Sequence, residues 1–461
     1  MWEKYKLLPE ISNIVEEQQH APFDRLLQFL TRALFFLLIV FIPSNLFWVI
    51  TERSAFVSGL RVDYLIPKLY FSIVLALLII VVQLIAAIKK SGLRSLIKAA
   101  RATFSSHKWA WLLLSIFFVR QFFTASPLVS IWFLIQLLIV TALGWVLYQQ
   151  RWLLEGMFFC WAVFTSLVVQ TGLAIYQFAF QQPLLPYYIF GESRFEPYFR
   201  MSRHQFNGQE KILAYGSTPH PNVLAGVGVI FFIILCQQLW NKHQQKIWGL
   251  WKPLAMVSSG LLAVAIIIYT TQSLSALLSL VFAGVFIVLK STFSKLNNLR
   301  VTSNFLLIIV MMIMVVVPVF LSSQAQQQPN NPSIVRREQL NLTAMDIFKK
   351  HWPTGVGLGQ FTVFLEEFAP SKEIVRFVQP AHHVGLLWLA ETGVLGIMLM
   401  IAGYKKLASE QKLKLIQWLL ILSPILALDH YLYTIQIGQL ILVLLFSQVF
   451  SSLQDQELEL E

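Results

Sequence analysis

"PKLYFSIVLALLIIVVQLIAAIKK", residues 67–90, carries no charged side chain between Lys68 and Lys89. A run of about 20 such residues is what a helix needs to cross the hydrocarbon core of a bilayer. The lysines at its far end mark the side that stays in the cytoplasm. The pattern recurs along the chain. Of the 461 residues, 57% are hydrophobic and 13% charged, which excludes a water-soluble globular domain.

About twelve spans are expected, near 33–50, 67–88, 109–125, 127–148, 152–180, 220–240, 254–270, 272–289, 304–322, 383–403, 414–428 and 431–452. The pairs that meet near 126, 271 and 429 leave almost no connection and predict three tight hairpins. The expected fold is all-α, a polytopic membrane helix bundle over 33–452. A cytoplasmic segment at 1–32 precedes it and a cytoplasmic tail at 453–461 follows. Residues 1–32 are polar and mixed in charge, unlike a cleavable signal peptide.

Orientation follows from the basic residues. Lys89, Lys90, Arg94, Lys98, Arg101 and Lys108 crowd one connection and "YKKLASEQKLK" at 404–414 fills another, so both termini are expected in the cytoplasm. The opposite face then receives two long loops, 181–219 and 323–383, in which short amphipathic helices are expected. The net charge of +12 reads as topology, and nucleic acid is not an expected partner. Cys160 and Cys236 fall in cytoplasmic halves of their spans, where a disulfide is not expected.

Within the spans the ionisable residues that stand out are Arg120, Glu155 and Glu391. Coupled transporters place proton or ion relays near the midplane, so this pattern weighs against the alternative of a glycan or lipid flippase. Arg120 and Glu155 lie near span ends, where snorkelling explains them.

The polar chemistry collects in the outer loops. In the second, Leu340, Ala344 and Ile347 share one face of a helix that stops before Pro353. Arg336 is one turn before Leu340, and Arg337 points about 100° away. Such guanidinium groups anchor lipid headgroups or grip a phosphate or carboxylate. "TGVGLGQF" follows, with Gly355, Gly357 and Gly359 forming either a tight turn or an anion-binding concavity of backbone N–H groups. "QPAHHVGLL" then sets His382 and His383 at the first turn of a span. Only one of two adjacent helical side chains faces a given site, as a structural residue or as a general base. In the first loop, Arg194, Arg200 and Arg203 alternate with aromatics ahead of "HPN", His220 to Asn222, which suits a sugar-phosphate ligand or an interfacial segment. Asp429 and His430 share the outer side, as caps or as acceptor contacts. No HExxH or DxD stands in an outer loop, so neither metal nor cofactor is expected.

Taken together, "GSTPHPNVLAG" (216–226), "RREQLNLTAMDIFKKHWPTGVGLGQF" (336–361) and "AHHVGLLWLAETGVLG" (381–396) resemble the O-antigen ligase and polymerase family. These are bacterial inner-membrane enzymes that move glycans from a polyprenyl-pyrophosphate carrier to a lipid, a growing polysaccharide or another cell-surface polymer. The resemblance implies such a donor and acceptor as partners, beside membrane lipids. It also implies that His382 is the catalytic histidine, with His383 where the family usually has Asn. Arg336 or Arg337 would be the arginine ahead of the glycine turn, Asn222 the family's Asn, and Glu391 and Gly393 its Glu and Gly. Arg200 would help to hold the leaving pyrophosphate. One departure stands out: many members have an Arg where Leu274 sits in "TQSLSALLSL".

Overall fold

The computed structural model describes residues 22–95, 98, 108–196, 201–244, 251–293, 299–328, 331–371 and 378–451. The 67–90 run forms the helix Phe71–Ser91, with Lys89 and Lys90 in its last turn. Gly92 ends it at φ 73°, its N–H returning to the Ile88 carbonyl at 2.8 Å.

Eight helices among the described residues are long and apolar enough to cross a membrane. They are Phe71–Ser91, Pro127–Gln149, Gly156–Phe180, Pro221–Trp240, Pro253–Thr271, Ser303–Gln327, Val384–Lys406 and Ser409–Leu428. Trp111–Phe123, Leu274–Ile287 and Gln436–Phe450 are apolar but shorter. The expected spans at 109–125, 272–289 and 431–452 correspond to these three.

The expected span at 33–50 is displaced. Its helix is Pro22–Phe41, and Phe47–Val49 is a strand paired antiparallel with Lys68–Tyr70. Pro43 explains the break, because it offers no N–H to continue the helix and disfavours helical backbone before it. The connection from 42 to 70 is therefore longer than the sequence suggests. The connections between the spanning helices are also not purely helical. Phe56–Val57 pairs with Leu60–Arg61, and Arg203–Phe206 pairs with Gln209–Ile212. In the first outer loop the chain thus supplies a hairpin beside the short helix Tyr187–Phe190.

Helix Pro221–Gln244 runs through the middle of the bundle, with Leu224, Val229, Ile230, Phe231 and Leu235 buried against neighbouring helices. Gly226 and Gly228 allow that closeness. A Cβ on Gly226 would meet the Tyr431 hydroxyl, and one on Gly228 would lie 3.2 Å from Ile267. Helix Leu299–Gln327 is peripheral by contrast: Met311, Val315 and Val319 are exposed, as suits a lipid-facing surface.

Helix Val384–Lys406 breaks at Gly393, whose φ of 60° and ψ of −157° are non-helical. The freed N–H groups of Val394 and Leu395 donate instead to the Trp352 and Pro353 carbonyls, at 2.8 and 3.0 Å. The connection that carries the glycine turn is thereby threaded onto a long apolar helix. A Cβ on Gly393 would lie 2.6 Å from the Gly355 nitrogen and the Trp352 oxygen. Gly393→Ala is expected to destabilise the fold by at least about 1–3 kcal/mol and lower the thermal midpoint in detergent. Gly172→Ala, in a helix with nothing within 4 Å of a new Cβ, should leave that midpoint essentially unchanged. Equal midpoints for the two variants would contradict the junction's role.

Candidate active site

The helix Pro332–Lys350 starts where its sequence directs. Asn331 caps it, accepting from the Ser333 and Ile334 N–H groups, and Pro332 occupies the first turn. Leu340, Ala344 and Ile347 are fully buried, and the helix ends before Pro353. This seating fixes the first two turns, from which Arg336 and Arg337 both line a cavity of about 1380 Å3.

The glycine turn that follows does not line the cavity. Its three glycines have φ of 65°, 109° and 69° at Gly355, Gly357 and Gly359, values that side chains rarely allow. The turn does bind a carboxyl group, and that group is internal. The Glu391 carboxylate accepts from the Gly359 N–H at 2.9 Å and the Phe361 N–H at 3.2 Å, and from the Tyr433 hydroxyl at 2.6 Å. The Val356 and Gly357 N–H groups bond the Ala390 and Glu391 carbonyls. Arg120 holds the other side, donating to Gly355 O at 3.0 Å, Thr354 Oγ1 at 3.3 Å and Phe123 O at 2.7 Å. Arg120 is a clamp on this turn, which a snorkelling reading does not capture.

The two adjacent histidines point apart, but neither sits in the first helical turn as expected: the helix starts at Val384, His383 is its extended cap, and His382 precedes it. His383 caps its helix, its Nδ1 accepting the Leu386 N–H at 3.1 Å. Its Nε2 lies 2.9 Å from the Met314 carbonyl, the one that Pro318 cannot satisfy four residues on. Both ring nitrogens are engaged, and His383 does not line the cavity. His382 does. Its Nε2 is 3.3 Å from the Gln379 side chain, and its Nδ1 is buried without a partner.

Three further stretches close the cavity. His220, just before the central helix, has Ser202 Oγ 3.2 Å from its Nε2 and receives the Asn222 N–H on Nδ1. The Asn222 side chain donates to Asp429 at 3.0 Å, and Ser275 donates to the other Asp429 oxygen at 2.6 Å. His430, in the turn before the last helix, has its ring centre 5.0 Å from that of His382. Its Nδ1 is 2.7 Å from Thr434 Oγ1, and Tyr64 of the 42–70 connection stands edge-on to its ring at 5.3 Å. So His220, Asn222, Arg336, Arg337 and His382 share one cavity, whereas His383, Glu391 and the three glycines support it from outside.

Arg194 also lines the cavity, Arg203 pairs instead with Glu210 at 2.7 Å, and Arg200 lies outside the described residues. Leu274 is exposed and does not line it, but its neighbour Ser275 reaches the site through Asp429. Sequence reasoning missed Arg61 and Tyr64, which fall in the short connection between the expected spans 33–50 and 67–88, and Lys68, which falls inside the second of them.

Burial sets the electrostatics. Withdrawal from water lowers the His382 pKa well below 6.5, and His430, Arg337, His220 and Arg336 lower it further. Desolvation, then Arg337, takes His220 to about 4, and desolvation, then His220 and Arg337, takes His430 to about 3. All three rings are neutral at pH 7 and offer lone pairs. Desolvation raises Asp429, against the opposing pull of Ser275, Arg337 and Asn222. Among the described residues no three His, Cys, Asp or Glu side chains form a group that could hold a metal ion. The cavity pairs a positive wall with neutral imidazoles, a combination that can bind an anionic group and receive a proton beside it.

Two outcomes follow. A histidine whose folded pKa is depressed adds stability that is complete above its unfolded value near 6.5 and is lost as pH falls towards the folded value. The thermal midpoint of His430→Asn should therefore fall less than the parent's between pH 7 and pH 4.5; a steeper fall in the variant would contradict the reading. At the turn, Glu391→Ala should destabilise by about 1–3 kcal/mol for each buried donor left unpaired. Combining it with Tyr433→Phe should cost less than the sum of the two, and strict additivity would show that the pair does not act together.

Compared with known proteins, residues 259–401 match the family model described as O-antigen ligase. No curated protein matches the chain. The match spans Arg336, Arg337, the glycine turn, His382 and Glu391, and leaves out His220, Asn222 and His430.

Proposed function

We propose that this chain, which carries the O-antigen ligase family domain at 259–401, is a glycosyltransferase of the inner membrane that takes its glycan from a polyprenyl-pyrophosphate carrier. The family supports an O-antigen ligase-like glycosyltransferase in general. The carrier, the outward-facing site and the roles below are our reading. One observation carries it: Arg336, Arg337 and a neutral His382 meet in a cavity lined by residues from four connections between helices.

The cavity, at about 1380 Å3, exceeds the roughly 300–1,000 Å3 of an ordinary small-ligand site and has room for more than one sugar beside a diphosphate. The prenyl tail would stay in the lipid while the diphosphate reaches the arginines. His382 takes the proton from an acceptor hydroxyl at Nε2, since its Nδ1 is buried away from the cavity's water. The Gln379 amide, whose oxygen and nitrogen can exchange places, can hold that nitrogen as donor or acceptor. The acceptor oxygen bonds to the anomeric carbon as the bond from that carbon to the diphosphate oxygen breaks. The lipid diphosphate leaves with the electron pair, and Arg336 and Arg337 stabilise the charge that grows on it. The acceptor is a lipid, a growing polysaccharide or another surface polymer.

The test is transfer from a polyprenyl-pyrophosphate oligosaccharide by the purified chain in liposomes. His382→Ala is expected to lower kcat by about 10²–10⁴-fold. Arg336→Ala and Arg337→Ala should each lower it by roughly 10²–10³-fold. Full transfer by His382→Ala would remove its catalytic role. Donor that crosses the bilayer intact would point to flipping instead.

A further inference from the structure

The strands Phe47–Val49 and Lys68–Tyr70 pair with Phe47 opposite Tyr70, Trp48 opposite Leu69 and Val49 opposite Lys68. Cross-strand partners share a face, and successive side chains of a strand alternate between faces. Phe47, Lys68 and Tyr70 therefore stand on one face, and Trp48 and Leu69 on the other. The first three line the cavity and the last two do not, so the face that bears Lys68 is the one turned to it. Lys68 and Phe47 are diagonal neighbours across the pair, and the Lys68 ammonium lies 4.6 Å from the centre of the Phe47 ring. Tyr70 and Tyr187 hold that ring edge-on, at 5.5 and 5.8 Å.

The ammonium has no counter-ion. Both acids of the 42–70 connection, Glu52 and Asp63, are taken by Arg61, at 2.8 and 2.9 Å. Among the described residues Lys68 makes no ion pair. It is half-buried, and that burial lowers its pKa, with Asp63 opposing the shift and Arg61 adding to it. A cation drawn out of water gains from an opposite charge, and a ring face supplies only part of that gain. The charges that act on Lys68 are those of its own connection, whereas Arg336 and Arg337 act on His382. The cavity thus has two cationic poles of different chemistry. One is a pair of guanidinium forks that suits a diphosphate; the other is a single point charge among aromatic rings.

We infer that Lys68 recognises an acidic group carried on a sugar ring of the glycan, a carboxylate or a phosphate ester, with Phe47 and Tyr70 giving the ring apolar contact. A compact ammonium binds a lone anionic group without the paired geometry that an arginine fork demands. Aromatic surface beside it suits the C–H face of a pyranose. The inference rests on the glycosyltransferase reading and deepens it by naming the substrate class, a glycan with an acidic residue.

The experiment uses the full chain in detergent, with methyl glucuronide, methyl glucoside and inorganic pyrophosphate as probes in saturation-transfer NMR. The glucuronide is expected to bind roughly fivefold more tightly than the glucoside, the upper end for an exposed ion pair. Lys68→Met should bring glucuronide binding down to that of the glucoside while pyrophosphate binding stays as in the parent. Lys68→Arg, which keeps the charge and the bulk, should retain the preference. A methyl glucoside phosphate in place of the glucuronide separates the two groups, the tighter binder naming the one recognised. No preference for either acidic probe in the parent, or a preference that survives in Lys68→Met, would overturn the inference. Weaker pyrophosphate binding in Lys68→Met would assign Lys68 to the diphosphate, and displacement of the glucuronide by added phosphatidylglycerol would assign it to a lipid headgroup; either would overturn it as well. Charge-dependent glucuronide binding by a chain that transfers nothing would uphold the recognition and overturn the transferase reading, and transfer without that binding preference would do the reverse.

Discussion

The Glu391 carboxylate, buried beside a break in a membrane helix, ties the outer segment to the bundle. Two loop N–H groups and the Tyr433 hydroxyl satisfy it, and Gly393 opens the helix so that loop carbonyls can replace the lost ladder. A buried carboxyl group without such partners would be destabilising. With them, the turn at 352–361 is locked between Arg120 on one side and Glu391 on the other. The helix bearing Arg336 and Arg337 precedes this lock, and the segment bearing His382 leads into the helix that contains it. Tyr433 extends the same link to the turn that carries His430.

The proposed chemistry needs such a lock. A mobile loop positions catalytic groups poorly, because geometry must hold to within fractions of an ångström. Here the outer segment gains its rigidity from membrane helices. His383 adds to it by capping one helix and satisfying, in another, the carbonyl that Pro318 strands. An Asn at that cap position, as the family usually has, accepts the same N–H.

Much of the bundle was legible because its signals are local. Apolar length marks helices, Pro332 and Asn331 mark a start, and the spacing of Leu340, Ala344 and Ile347 marks a buried face. His220, Asn222, Arg336, Arg337 and His382 were found through the order of their motifs. What stayed hidden depends on distant partners. Nothing local distinguishes a glycine turn that binds a substrate phosphate from one that binds Glu391, some 30 residues on. Tyr64 falls in a short expected connection and Lys68 at the start of an expected span; only the early helix end at Pro43 joins them in one long connection.

The most direct measurement is a cryo-electron microscopy structure of the His382→Ala protein holding an intact polyprenyl-pyrophosphate oligosaccharide. The account predicts the diphosphate within hydrogen-bonding distance of Arg336 or Arg337, inside the cavity that His220 and His430 line, with the glycine turn still closed on Glu391. A diphosphate seated on the glycine turn in place of Glu391, or bound outside that cavity, would contradict it.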